Sequence, residues 1–119
     1  MTRKEAYEKH KALWNEIAKM LDEGIEYKYA EHYKSHAMER LQYYDHPMSN
    51  CYACETSVYC EECLVVWGGK DCMRNGEFMA FRYAIENKDY SYAKELAYQI
   101  ANLPLREGLD MDTDVVQYY

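Results

Sequence analysis

Residues 2–24 read TRKEAYEKHKALWNEIAKMLDEG, and this stretch decides the fold. Thr2 followed by Glu5 has capping-box spacing, in which each side chain satisfies an orphan amide at the other end, so the spacing predicts a helix that starts here. Ala6, His10, Leu13, Ile17 and Met20 step by four or three, with Tyr7, Trp14 and Leu21 beside them. That period lays one apolar stripe along a helix, and Gly24 supplies its stop.

Working outward, YKYAEHYKSHAMERLQYY at 27–44 repeats the helical period, with Ala30, Tyr33, Ala37, Leu41 and Tyr44 on one face. Asp45-His46-Pro47 ends it, because a residue before proline avoids helical torsions. Further on, Phe78, Phe81, Arg82 and Ile85 predict a short third helix ending near Asn87. A fourth is capped by Asp89 or Ser91, carries Ala93, Leu96, Ala97, Ile100 and Leu103 on one face, and closes at Pro104. The expectation is an all-α fold in a single domain, 1–119. Its parts are an N-terminal helical hairpin (1–47), a cysteine-bearing insert (48–76), a C-terminal helical pair (77–104) and an acidic tail (105–119).

The insert holds all five cysteines, in NCYACETSVYCEECLVVWGGKDC from Asn50 to Cys72. Cys51/Cys54 and Cys60/Cys63 are two Cys-x2-Cys pairs, and Cys72 follows. Two residues between thiolates let the backbone form a knuckle whose amides support the sulfurs, and two knuckles complete a tetrahedral shell. Four of Cys51, Cys54, Cys60, Cys63 and Cys72 are therefore expected to bind a structural Zn2+, which makes 48–76 a zinc-knuckle insert. An iron-sulfur cluster and free or redox-active thiols are the alternatives. Four thiolates leave no coordination position for substrate, so such a zinc holds the fold without catalysing. Its binding energy, of order 10 kcal/mol in small zinc modules, rivals the stability of a small domain.

The run of Cys-x2-Cys, short gap, Cys-x2-Cys, glycine loop and further Cys leads into an aromatic-led helix carrying YAKELAYQIANLP. From Cys51 to Pro104 this pattern resembles small zinc-knuckle proteins encoded by tailed bacteriophages. In that pattern a proline often follows the fourth cysteine, where this chain has Leu64. The resemblance implies a phage context and a structural metal, and it carries no established activity to transfer.

Charge and aromatic content bear on function. Residues 1–50 carry 8 Lys/Arg and 9 Asp/Glu, and residues 51–119 carry 6 and 12, which together give the net charge of -7. No basic stretch is present to release counterions from a phosphate backbone, so direct nucleic-acid binding is disfavoured. An acidic surface suits solubility, a basic protein partner or mimicry of nucleic acid. The chain has 14 Tyr against 2 Phe and 2 Trp. Tyrosines line a core margin or form an adhesive face. Those on and beside the second helix outnumber what one buried stripe can hold, which makes Tyr29, Tyr43 and Tyr44 the candidate partner-binding residues. The N-terminus has charges where a signal peptide has an apolar core, and no apolar run approaches membrane-spanning length, so a cytoplasmic protein is expected.

Other constellations are weaker. His32 and His36 stand four apart, a spacing that serves a metal or an acid-base site with Glu31 or Glu39, although no His-Glu-x-x-His is present. His46 is a possible substitute ligand. Gly68-Gly69-Lys70 lacks the spacing of a phosphate loop, and Asp110, Asp112 and Asp114 lack the rest of a calcium loop. The function expected is non-enzymatic: a zinc-stabilised phage accessory protein that binds and inhibits a host factor, such as a bacterial defence system, in the host cytoplasm. The alternatives are a small-ligand or nucleotide binder using tyrosines with Arg74, Arg82 or His36 between protomers of a homo-oligomer, and an enzyme using His32, His36 and nearby acids.

Overall fold

The computed structural model describes residues 2–44, 65–66, 76–108 and 111–112. All five cysteines, and with them the expected metal site, lie outside the described residues, as do His46, Arg74, Asp110 and Asp114. Among the described residues the chain forms four α-helices and no strand: α1 (Arg3–Asp22), α2 (Ala30–Arg40), α3 (Glu77–Glu86) and α4 (Tyr90–Ala101). The all-α expectation holds for this part of the chain.

Thr2 caps α1 by accepting the Glu5 N–H at 3.1 Å. The reciprocal half of the box differs from expectation, since the Glu5 carboxylate faces the Thr2 hydroxyl at 3.4 Å. The predicted stripe is buried throughout, from Ala6 through His10, Leu13, Trp14 and Ile17 to Met20 and Leu21. Gly24 takes φ +83° and ends the helix, with Ile25 N–H bonding Met20 O and Gly24 N–H bonding Leu21 O. These are the two bonds of a Schellman motif, which satisfy carbonyls the helix itself leaves open.

The second helix is shorter than its periodicity suggests. It stops at Arg40 in another Schellman motif, with Gln42 at φ 59° and Tyr43 N–H bonding Met38 O at 2.8 Å. The turn breaks the helical register. Ala30, Tyr33 and Ala37 are buried as predicted, Leu41 is half-buried and Tyr44 is exposed, so the expected face ends at Ala37–Met38. The third helix ends the same way on Lys88, at φ 60°. Asp89 is then both the last residue of that turn and the N-cap of α4, accepting the Tyr92 N–H at 3.3 Å. This double use makes the α3–α4 connection tight.

One core joins all four helices. The most extensive contact is α1 on α4, followed by α3 on α4. Trp14 meets Phe81 and Phe78 edge to face, at 5.1 and 6.2 Å between ring centres. Tyr33 is fully buried, and its hydroxyl donates to Ile25 O (2.8 Å) while accepting the Tyr27 N–H (2.9 Å), which pins the α1–α2 connection. Burial pushes the Tyr33 phenol up to about 12. Arg40 closes the hairpin from outside, with 2.9 Å to Glu16 and a two-pronged contact to Glu23 at 3.1 Å. Beyond α4, Leu105 forms an isolated antiparallel bridge with Val65, and Met111 O accepts the Lys4 N–H at 3.0 Å. The described part of the predicted acidic tail therefore packs back onto the helices.

Candidate functional site

The outward face of α2 collects the exposed positions Glu31, His32, Ser35, His36, Glu39 and Arg40, because residues four apart stack on one side of a helix. The α1–α2 connection lays Tyr27 and Tyr29 against the start of this face. Tyr27 stacks nearly parallel on His36, with 4.7 Å between ring centres and 24° between planes. It meets His32 edge-on at 6.2 Å, and Tyr29 meets His32 edge-on at 5.6 Å. The inner side of Tyr27 rests on buried Tyr33 at 4.9 Å. The result is a continuous strip of four rings, Tyr29, His32, Tyr27 and His36, backed by the core.

At the other end of the helix, Ser35, Met38, Glu39, Tyr43 and Tyr44 line a half-open groove of about 270 Å³. The Schellman turn at Gln42 builds it, since reversing the chain folds Tyr43 and Tyr44 back beside the helix they follow. Tyr43 is half-buried with Lys9 Nζ 5.0 Å from its ring centre, and Tyr44 is 65% exposed. Tyr29, 45% exposed, carries Lys28 Nζ at 5.5 Å. The three candidate binding tyrosines thus stand at the two ends of one helix face.

The histidine pair sits differently from a metal centre. His36 Nδ1 lies 3.9 Å from Glu39 Oε2 and its ring is stacked on Tyr27, so the two histidines act as parts of the aromatic strip. Among the described residues no group of three or more His, Cys, Asp or Glu side chains is placed to hold a metal ion. Arg82 pairs with Glu86 on its own helix at 3.4 Å.

Two residues with unexpected roles are His10 and Lys34. His10 is 1% exposed, and its Nε2–H donates to the Ile100 carbonyl at 2.9 Å, near the C-terminal end of α4 where backbone carbonyls lack intrahelical donors. Burial, aided by the charges of Lys34 and Lys11, lowers its pKa to about 4, against the raising effect of the Ile100 bond. Lys34 is 5% exposed with its ammonium 4.8 Å from the Phe78 ring centre. Its position next to Tyr33, at the margin of the buried stripe, was the only sequence signal. No helix among the described residues is long and apolar enough to cross a membrane. Compared with family models, curated proteins and solved structures, the chain matches none.

Proposed function

We propose that the protein is a non-enzymatic, zinc-stabilised binding protein that engages a partner protein through the outer face of α2. The observation that carries this reading is the strip of rings from Tyr29 to His36, which continues into the Tyr43–Tyr44 groove. Tyr27 and Tyr43 pack against the core and so lose little freedom on binding, which is why rings held in this way anchor interfaces. The phage resemblance of the cysteine segment makes a host factor, such as a component of a bacterial defence system, the proposed target. Inhibition in the host cytoplasm is the proposed outcome.

Zinc fits the donor set of the insert, since soft thiolates in two Cys-x2-Cys pairs suit a closed tetrahedral site. Four of Cys51, Cys54, Cys60, Cys63 and Cys72 would hold it, and it would supply cross-linking energy and no open coordination position. The small-ligand alternative has one observation behind it, the groove at Tyr43 and Tyr44. Its volume of about 270 Å³ falls just below the range of ligand pockets, about 300–1,000 Å³.

The test is capture from host extract on immobilised protein, with mass analysis of what is retained, for the wild type, Tyr29→Ala and Tyr44→Ala. Both variants should keep the wild-type melt and about one zinc per chain, and both should lose the captured partner. Retention of the same partner by both variants would remove the α2 face from the reading. Metal analysis finding no zinc in native protein would remove the metal.

A further inference from the structure

We infer that the aromatic strip on α2 receives an arginine-rich segment of the partner protein. This rests on the binding reading above and names the chemistry of what is bound. The rings supply electron-rich faces, and the carboxylates around them set the sign. Glu26, Glu31 and Glu39 are all exposed and flank Tyr27, Tyr29, His32 and His36. Among the described residues neither Glu26 nor Glu31 is ion-paired, and the Glu39 carboxylate lies 3.9 Å from His36 Nδ1 at the edge of the groove. The guanidinium at the end of the helix is already committed, because Arg40 is held by both Glu16 and Glu23.

One ring of the strip and one of the neighbouring groove already hold cations of this chain. Lys28 places its ammonium 5.5 Å from the centre of the Tyr29 ring, and Lys9 does the same at Tyr43 at 5.0 Å. An incoming arginine does more than either lysine. Its planar guanidinium stacks on a phenol or imidazole face and still forks onto a neighbouring carboxylate, whereas an ammonium is a compact, strongly hydrated point charge. Alternating rings and carboxylates along one helix face match successive arginines on an extended chain. The net charge of -7 adds long-range steering of the same sign.

The experiment titrates labelled short peptides into the full-length chain and reads fluorescence anisotropy. The peptides share a Gly-Ser backbone and carry arginines, lysines or glutamates at the same positions. The arginine peptide should bind about fivefold or more tighter than the lysine peptide, and the glutamate peptide should not bind. Tyr29→Ala should weaken the arginine peptide about tenfold, and Glu31→Gln combined with Glu39→Gln should do the same. Tyr92→Ala and Tyr98→Ala, at exposed tyrosines of α4, should leave it unchanged. All these positions are exposed, and circular dichroism melts confirm that each variant is folded. Equal binding of arginine and lysine peptides, or binding indifferent to both α2 changes, overturns the inference in favour of diffuse attraction to acidic segments. Capture of a partner that depends on Tyr29 but is not displaced by the arginine peptide also overturns it, and leaves the binding reading in place. Displacement of that partner by the arginine peptide supports both.

Discussion

His10 should make the fold acid-sensitive over a defined range. The side chain is fully enclosed between α1 and α4, and burial brings its pKa down from 6.5 to about 4. In the unfolded chain it protonates near 6.5, so between these values the unfolded state binds the extra proton and the folded state does not. Its contribution is therefore complete above pH 6.5 and is lost as pH falls toward 4. At about 1.4 kcal/mol per pH unit, the interval comes to about 3 kcal/mol. That is a large part of the 5–15 kcal/mol, roughly, that a domain of this size has to lose. The assay is urea denaturation at several pH values from 7.5 to 4, for wild type and His10→Gln. Glutamine retains an N–H donor for Ile100 O and does not titrate, so carboxylate effects common to both chains cancel in the difference. The wild type should lose about 3 kcal/mol relative to His10→Gln across that range. Parallel pH profiles would refute the reasoning, because they would mean that His10 is accommodated as a cation inside the fold.

Three further outcomes follow from the packing. Leu13→Asp should unfold the chain, since it buries an unpaired charge at a cost of several kcal/mol, whereas Leu41→Asp should cost about 1 kcal/mol because the helix ends before it and Leu41 is half-buried; thermal melts separate the two. Lys88→Gly should stabilise by about 0.5–1 kcal/mol by relieving a left-handed residue, and Gly24→Ala should destabilise by about 1 kcal/mol for the converse reason, both read from denaturation midpoints. Tyr33→Phe should cost about 1–3 kcal/mol, because it leaves Ile25 O and the Tyr27 N–H without their shared hydroxyl, and hydrogen exchange at Tyr27 should speed up.

The helices were legible where an apolar stripe coincided with a recognised stop. In α1, Thr2 and Gly24 bracket the periodic residues, and the structure follows them closely. In α2 the period ran on through Leu41 and Tyr44, but the chain turned at Gln42, a residue whose sequence gives no hint of a left-handed conformation. The end of α3 falls at Asn87 as its pattern indicated, although the left-handed Lys88 that makes the turn carries no such signal, and Asp89 marks the start of α4. The excess of tyrosines around α2 did indicate an exposed aromatic face. Its extent depended on two facts no single-helix pattern contains: Tyr27 stacks on His36, and the turn at Gln42 folds Tyr43 and Tyr44 back to form a groove. His10 was placed correctly on the apolar stripe, but its partner is ninety residues away on α4, beyond any local reading.

The cysteine segment meets the helical core at Val65 and Val66. Val65 is fully buried and bridged to Leu105, and Val66 N–H donates to Pro104 O at 2.9 Å. Cys63 precedes Val65 by only two residues. Ordering backbone costs about 1–2 kcal/mol per residue, while burying one valine returns about 1.5–3 kcal/mol, so Val65 alone offsets the ordering of only a residue or two. If the proposed thiolate–zinc site, of order 10 kcal/mol in small zinc modules, is present, the metal and the Val65 anchor should be thermodynamically linked. Val65→Ala should then act on both. It should cost about 2 kcal/mol, or about 8 °C in the melt, through the cavity it leaves against Leu105, and it should also make zinc easier to strip with a competing chelator. Chelation of the wild type should in turn lower its melting temperature. If the chelator removes the metal without moving the wild-type melt, the anchor stands independently of the cysteines and the linkage fails.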